Sequence, residues 1–129
     1  MRFEHFALNV ESPIKMAQWY CEHLGLHMVY ENDEPPFMRF LGDSNDQVVM
    51  ELYQNPNAPI TDHSKNHHLV FHVAFESDNA GKDKERLIEA GASFIEEKSP
   101  ENGTHLVMLR DPWGLALQIC QRKNKLSKN

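Results

Sequence analysis

Along residues 2–10 (RFEHFALNV) apolar and polar side chains alternate, which predicts a strand with Phe6, Leu8 and Val10 on one face and His5, Ala7 and Asn9 on the other. Ser12-Pro13 then offers an N-cap and a proline at the first helical position. Met16, Trp19, Tyr20 and Leu24 recur at helical spacing, and Gly25 closes the helix. Short strands are predicted at about 26–31, 37–42 and 47–54, separated by turn-forming Asn, Asp, Pro and Gly. Residues 55–66 (NPNAPITDHSKN) read as an irregular connection. The order then starts again. A strand over 67–76 (HHLVFHVAFE) leads to a helix with Ser77 as N-cap, running to about Ala90 before Gly91. Further strands follow at about 92–97, 104–110 and 115–122, the last two joined by the turn Asp111-Pro112-Trp113-Gly114.

The recurrence is a repeat in the residues as well as in the elements. His5 and His72 lie 67 positions apart and open similar phrases, H-F-A-L-N-V-E-S and H-V-A-F-E-S. Glu51 and Gln118 keep that offset, as do Gln54 and Gln121. The predicted organisation is a single α+β domain over 1–129, built of two tandem βαβββ modules. Module 1 covers about 1–54, the linker 55–66, module 2 about 67–122, and a polar tail 123–129. Strand parity puts Glu51 opposite Met50 and Leu52, Gln118 opposite Leu117 and Ile119, and His72 opposite Phe71 and Val73. Each bulky face should pack on a helix. The other face carries one polar group per strand, and four such strands describe a concave, cup-shaped sheet.

Composition narrows the function. The 129 residues are 40% hydrophobic and 25% charged, values of an ordinary globular domain. A net charge of −6 disfavours nucleic acid as a partner, and the one basic run, Arg122 to Lys128, reads as a solvated end. No apolar run approaches the roughly 20 residues of a membrane span. The opening MRFEHFALNV lacks the marks of a signal peptide, so the expected location is the cytoplasm. Cys21 and Cys120 lack CxxC spacing and are expected as buried free thiols.

A glutamate on a middle strand is costly to bury unless paired or metal-bound. Two imidazoles (His5, His72), one carboxylate (Glu51) and one amide (Gln118) make a mixed nitrogen and oxygen set suited to Zn, Ni, Co, Mn or Fe, and too rich in nitrogen for Ca or Mg. The alternative is a pairing of Glu51 with Arg39 across neighbouring strands, with the histidines as ordinary core or surface residues. His67 and His68 are expected to face solvent at a strand's start, and His23 and His27 to flank the helix end at Gly25. Arg39 offers a charge for an anionic substrate or is an ordinary exposed arginine; Trp113 covers the site or packs on the surface.

These residues resemble the vicinal oxygen chelate superfamily, which includes glyoxalase I. The likeness runs from H-F-A-L-N-V to D-P-W-G-L-A-L-Q-I, the latter similar to the family's Asp-Pro-x-Gly-x-x-(apolar)-Glu phrase. The resemblance implies paired βαβββ modules around a divalent metal, usually in a homodimer, with ligands at His5, Glu51, His72 and Gln118. Gln118 stands where the family usually has glutamate, and an amide cannot take a proton. Glu51 is then the implied catalytic base. Asn9 stands where many glyoxalases carry an arginine for the glutathione carboxylate, and Asn55 matches a position used for a thiol cosubstrate.

The expected activity is therefore a glyoxalase-like lyase or isomerase acting on a small vicinal-oxygen substrate, such as a 2-oxoaldehyde–thiol adduct, by proton abstraction and enediolate stabilisation. The alternatives are an Fe(II) ring-cleaving dioxygenase and a metal-free small-molecule binder of the bleomycin-resistance type.

Overall fold

The computed structural model describes residues 1–100 and 102–126, in two compact units, Met1–Thr61 and Asp62–Asn129. The first unit runs β1 (Phe6–Asn9), α1 (Pro13–Leu24), β2 (His27–Glu31), β3 (Arg39–Gly42) and β4 (Val48–Tyr53). Its four-stranded sheet has the order β1-β4-β3-β2, with β1 and β4 parallel and the other pairs antiparallel. The second unit repeats this with β5 (Val73–Glu76), α2 (Ala80–Glu89), β6 (Ser93–Lys98), β7 (His105–Arg110) and β8 (Ala116–Gln121), in the order β5-β8-β7-β6. The result is an α+β fold of two mixed sheets, each with one helix. Among the described residues no helix is long and apolar enough to cross a membrane.

The apolar stripe of α1 explains its packing. Pro13, Met16, Ala17 and Tyr20 fall at helical spacing and are buried, against a sheet face that buries Leu41, Met50 and Leu52. Each of the large side chains contributes about 1.5–3 kcal/mol by leaving water. Gly25 follows in the left-handed conformation, φ 70°. In the second unit Leu87 of α2 and Val107, Leu109, Leu117 and Ile119 of the sheet form the corresponding core. The faces on which Glu51 and Gln118 were placed by parity are the ones turned away from these cores.

The structure corrects four local expectations. The strand expected over 67–76 begins only at Val73, because His67–Val70 closes into a turn with Val70 N–H on the His67 carbonyl (2.9 Å), leaving Leu69 and Val70 69% and 71% exposed. His72 thus precedes β5 by one residue, as His5 precedes β1. The N-cap of α2 is Asn79, whose side chain accepts from Lys82 N–H, whereas Ser77 donates its hydroxyl to Asp83. The connection holds one turn of 3-10 helix, His63–Lys65, capped by Asp62, and the Ser64 hydroxyl holds that carboxyl below its ordinary range. The basic end does not simply float: Lys125 lies 3.9 and 3.6 Å from Glu76 and Asp78. Ser127, Lys128 and Asn129 of the expected tail lie outside the described residues. Both cysteines are free thiols, Cys120 buried and Cys21 partly so.

Two glycines separate conformational need from space. A Cβ on Gly25 would meet nothing within 4 Å, so Gly25→Ala should cost about 1 kcal/mol, the left-handed penalty alone. Gly114 has φ 93° and a Cβ there would lie 2.7 Å from Ser64 Cβ and 2.9 Å from its backbone N. Gly114→Ala should lower stability by about 3 kcal/mol, since strain and overlap add. Urea unfolding of both variants checks the order.

Glu97 on β6 accepts from Lys84 of α2 (2.8 Å) and from His105 of β7. These hydrogen bonds hold its carboxyl below the ordinary range. A lowered folded value means the contribution is present above the unfolded carboxylate value, about 4.3, and is lost as pH falls through the folded one. The stability gap between wild type and Glu97→Gln should therefore be full at neutral pH and close as pH falls below about 4.3, which urea unfolding at several pH values checks.

Candidate metal centre

In the first unit β1 and β4 run parallel with Ala7 opposite Glu51. His5, two residues before Ala7, shares its face, and the small Ala7 leaves room beside the carboxylate. His5 Nε2 lies 3.7 Å from Glu51 Oε2. His5 Nδ1 is 2.8 Å from Glu4 Oε1, and a carboxylate can only accept, so the hydrogen sits on Nδ1. In the neutral ring Nε2 then presents a lone pair to the carboxylate. The ring stands edge-on to Phe40 at 5.3 Å, Phe40 is the register partner of Glu51 on β3, and Tyr30 lies 6.3 Å beyond. The Glu51 side chain is only 12% exposed.

The second unit repeats the frame with other chemistry. Ala74 lies opposite Gln118 on parallel β5 and β8. His72 Nδ1 donates to the His68 carbonyl at 3.2 Å, so this ring too keeps Nε2 bare. Gln118 Oε1 accepts from the Cys120 thiol at 3.3 Å. Burial pushes the Cys120 thiol up, with Arg122 opposing, which keeps it a donor, and burial likewise raises Cys21.

The donor set suits a divalent transition metal. Both imidazoles hold Nδ1 on an acceptor and keep Nε2 free, the arrangement by which ligating histidines are fixed. His5 Nε2 and Glu51 Oε2, two acceptors, face each other a few tenths of an ångström beyond the separation of about 3–3.5 Å that two ligands take at bonds of about 2.0–2.2 Å. In the first unit the structure brings His5 and Glu51 together; in the second, His72 stands just before β5 and Gln118 lies on the neighbouring β8, opposite Ala74. Among the described residues no group of three or more His, Cys, Asp or Glu side chains forms a metal-holding cluster.

The remaining sequence candidates serve the scaffold. Asn9 donates to the carbonyls of Asn55 and Ala58 (both 3.0 Å) and accepts from Asn55 N–H (2.7 Å), tying the segment after β4 to the end of β1. Asn55 turns its own side-chain oxygen onto Asn57 N–H. Arg39 is neither exposed nor paired with Glu51. It is 3% exposed, donates 2.6 Å to the Asn32 carbonyl and 2.5 Å to Asp33, and so clamps the β2–β3 turn. Trp113 is half-buried in its turn, where its N–H and that of Leu115 both donate to the buried Asp111 carboxylate. His68, expected at the surface, is buried with Nε2 3.2 Å from Glu96. Phe40, Tyr30 and Glu96 escape the sequence reading because each needs the strand register to be placed.

Comparison with known proteins agrees with this frame. The profile of the Glyoxalase/Bleomycin resistance protein/Dioxygenase superfamily matches residues 2–119. The chain is 28% identical over 131 residues to a lactoylglutathione lyase of Neisseria meningitidis, covering 96% of this chain and 93% of that one. It is 28% identical over 120 residues to biphenyl-2,3-diol 1,2-dioxygenase 3 of Rhodococcus globerulus, covering 92% of this chain but spanning only 62% of the dioxygenase. A glyoxalase family protein from Bacillus cereus shares the fold at a TM-score of 0.76 with 18% identity, over 94% of this chain and 93% of that one.

Arg39→Met keeps most of the volume and removes every donor. If Arg39 is a clamp, urea unfolding should show a loss of about 1–3 kcal/mol, from the carbonyls left without their partner.

Proposed function

Because the chain belongs to the Glyoxalase/Bleomycin resistance protein/Dioxygenase superfamily, we propose that it is a glyoxalase-like, metal-dependent lyase or isomerase acting on a small substrate with two adjacent oxygens. Members of this superfamily generally bind a divalent metal ion. The donors here are His5, Glu51, His72 and Gln118. A divalent ion held by them supplies positive charge to substrate oxygens on which negative charge develops. Cytoplasmic location and assembly as a homodimer belong to the same reading.

The single observation that carries it is the His5–Glu51 pair: a largely covered carboxylate with an imidazole nitrogen 3.7 Å from it. Glu51 has a proton-accepting oxygen and sits on an open sheet face, so it takes a proton from the carbon beside a carbonyl and returns it to the neighbouring carbon. No oxidant enters that balance. Gln118 cannot share the task, since an amide neither accepts nor releases a proton near neutral pH. Asn9, Asn55 and Arg39 hold loops through their hydrogen bonds.

A second reading, an Fe(II) dioxygenase, draws on the same two histidines and one carboxylate and on the dioxygenase relative. The match covers 93% of the lyase relative's length and 62% of the dioxygenase's.

Turnover of methylglyoxal with glutathione, followed in the ultraviolet on protein loaded in turn with Ni, Zn and Co, tests the proposal. Glu51→Gln should lower kcat by about 10²–10⁴-fold. His5→Ala and His72→Ala should each weaken metal binding at least about tenfold. A Glu51→Gln variant as active as wild type removes Glu51 as base. Oxygen uptake with a catechol by the Fe(II)-loaded protein selects the dioxygenase, and a wild type that binds no metal selects the small-molecule binder.

A further inference from the structure

We propose that the His68–Glu96 pair is a positioning device for His72, holding its ring in the one tautomer that leaves Nε2 free. The inference rests on the reading of His72 as a metal donor. It starts from a segment whose apolar alternation predicts a strand but which turns instead. In His67–Val70 the Val70 N–H closes on the His67 carbonyl (2.9 Å) and Leu69 N–H donates to His67 Nδ1 (3.1 Å). The turn aims the His68 carbonyl at His72, which donates Nδ1–H to it at 3.2 Å.

That carbonyl is only as well placed as the residue bearing it. His68 is fixed from two sides: its ring stacks on His67 at 4.2 Å between centroids, and its Nε2–H donates to Glu96 Oε1 on β6 at 3.2 Å. The His68 side chain is 11% exposed, so water competes poorly for this bond. Glu96 is also approached by Lys98 at 3.8 Å, a long and exposed contact of little weight. The chain of restraint therefore runs from β6 through a buried ring and one peptide to His72. His5 differs, since its Nδ1 is held by Glu4, a side chain 82% exposed. An imidazole free in water favours the Nε2–H form, the one that blocks the nitrogen needed at a metal. Enforcing Nδ1–H at His72 is a function that a packing pair alone would not have.

The test uses the full metal-free chain, labelled with nitrogen-15, at about pH 8.5, above the ordinary histidine range of about 6.5. Long-range proton–nitrogen correlations report each ring's tautomer. Wild-type His72 should be in the Nδ1–H form, and Glu96→Ala and His68→Ala should both shift it towards Nε2–H, because neither removes the carbonyl but each removes its anchor. Glu96→Gln keeps an acceptor for His68 Nε2–H and should restore the wild-type tautomer. An Nε2–H ring in wild type, or an unchanged Nδ1–H ring in the folded alanine variants, overturns the proposal. So does failure of both alanine variants to fold, which would make the pair a plain structural anchor. Zinc alone, titrated into the same samples, separates this from the donor reading. Zinc binding by wild type weakened about 10–100-fold in Glu96→Ala supports both. No zinc binding by wild type sinks the donor reading while the tautomer result stands by itself.

Discussion

The parallel pairing of the first and last strands in each unit is the constraint on which the rest depends. It sets Ala7 beside Glu51 and Ala74 beside Gln118, with identical spacing on both sides of the pair. Parallel neighbours cannot be joined by a tight turn, so the chain between them must supply a helix and two further strands. Those elements bury one sheet face against α1 or α2. Because side chains alternate strictly, every residue that packs inward at Met50, Leu52, Leu117 or Ile119 forces its neighbour outward. Glu51 and Gln118 face away from the helices because their neighbours are committed to the core.

This much is legible in the amino-acid order. The strand and helix sequence, the two glycine stops, the inward and outward faces and the choice of His5 and Glu51 as residues of interest all follow from alternation, helical spacing and the 67-residue offset. What is not legible has a common physical cause, namely that register is set by bulges and turns. Val29 and Ile95 are extra residues at corresponding bulges, 66 apart, like the closing glycines. Phe40 and Met108, the partners of Glu51 and Gln118, are 68 apart. The offset thus drifts through the turns before returning to 67, and a fixed-offset comparison loses the strands between, where Phe40 (β3), Tyr30 (β2) and Glu96 (β6) stand. The turn at 67–71 is hidden for another reason: its apolar residues mimic a buried strand, and only the hydrogen bonds to His67 break the pattern.

The two arginine clamps, Arg39 buried and Arg110 partly so, show why charge in a sequence is a poor guide to a binding site. Arg39 collects the Asn32 carbonyl and Asp33, and Arg110 collects the carbonyls of His63, Gly114 and Asn66. A guanidinium carries five donors in a fixed fork, which suits it to gather the unpaired carbonyls of an irregular segment. Each arginine ties an irregular segment to a strand end, adding to turn bonds such as Asn66 N–H on the His63 carbonyl. Arg110 also explains the crowding at Gly114, since it draws residues 63–66 onto the Asp111–Gly114 turn.

The duplication supplies two equal frames, and their contents have diverged. Across the open face the first unit sets Ala7, Glu51, Phe40 and Tyr30 in register, and the second sets Ala74, Gln118, Met108 and Glu96. The first has its carboxylate next to the helix-linked strand and an aromatic flank. The second has an amide in that place and its carboxylate two strands away, paired with His68. A carboxylate beside an imidazole can move a proton, whereas an amide held by the Cys120 thiol can only present an oxygen or a hydrogen. With Glu51 as the base proposed above, the second frame holds no counterpart to it: its equivalent strand carries the amide of Gln118, and its own carboxylate, Glu96, lies against His68.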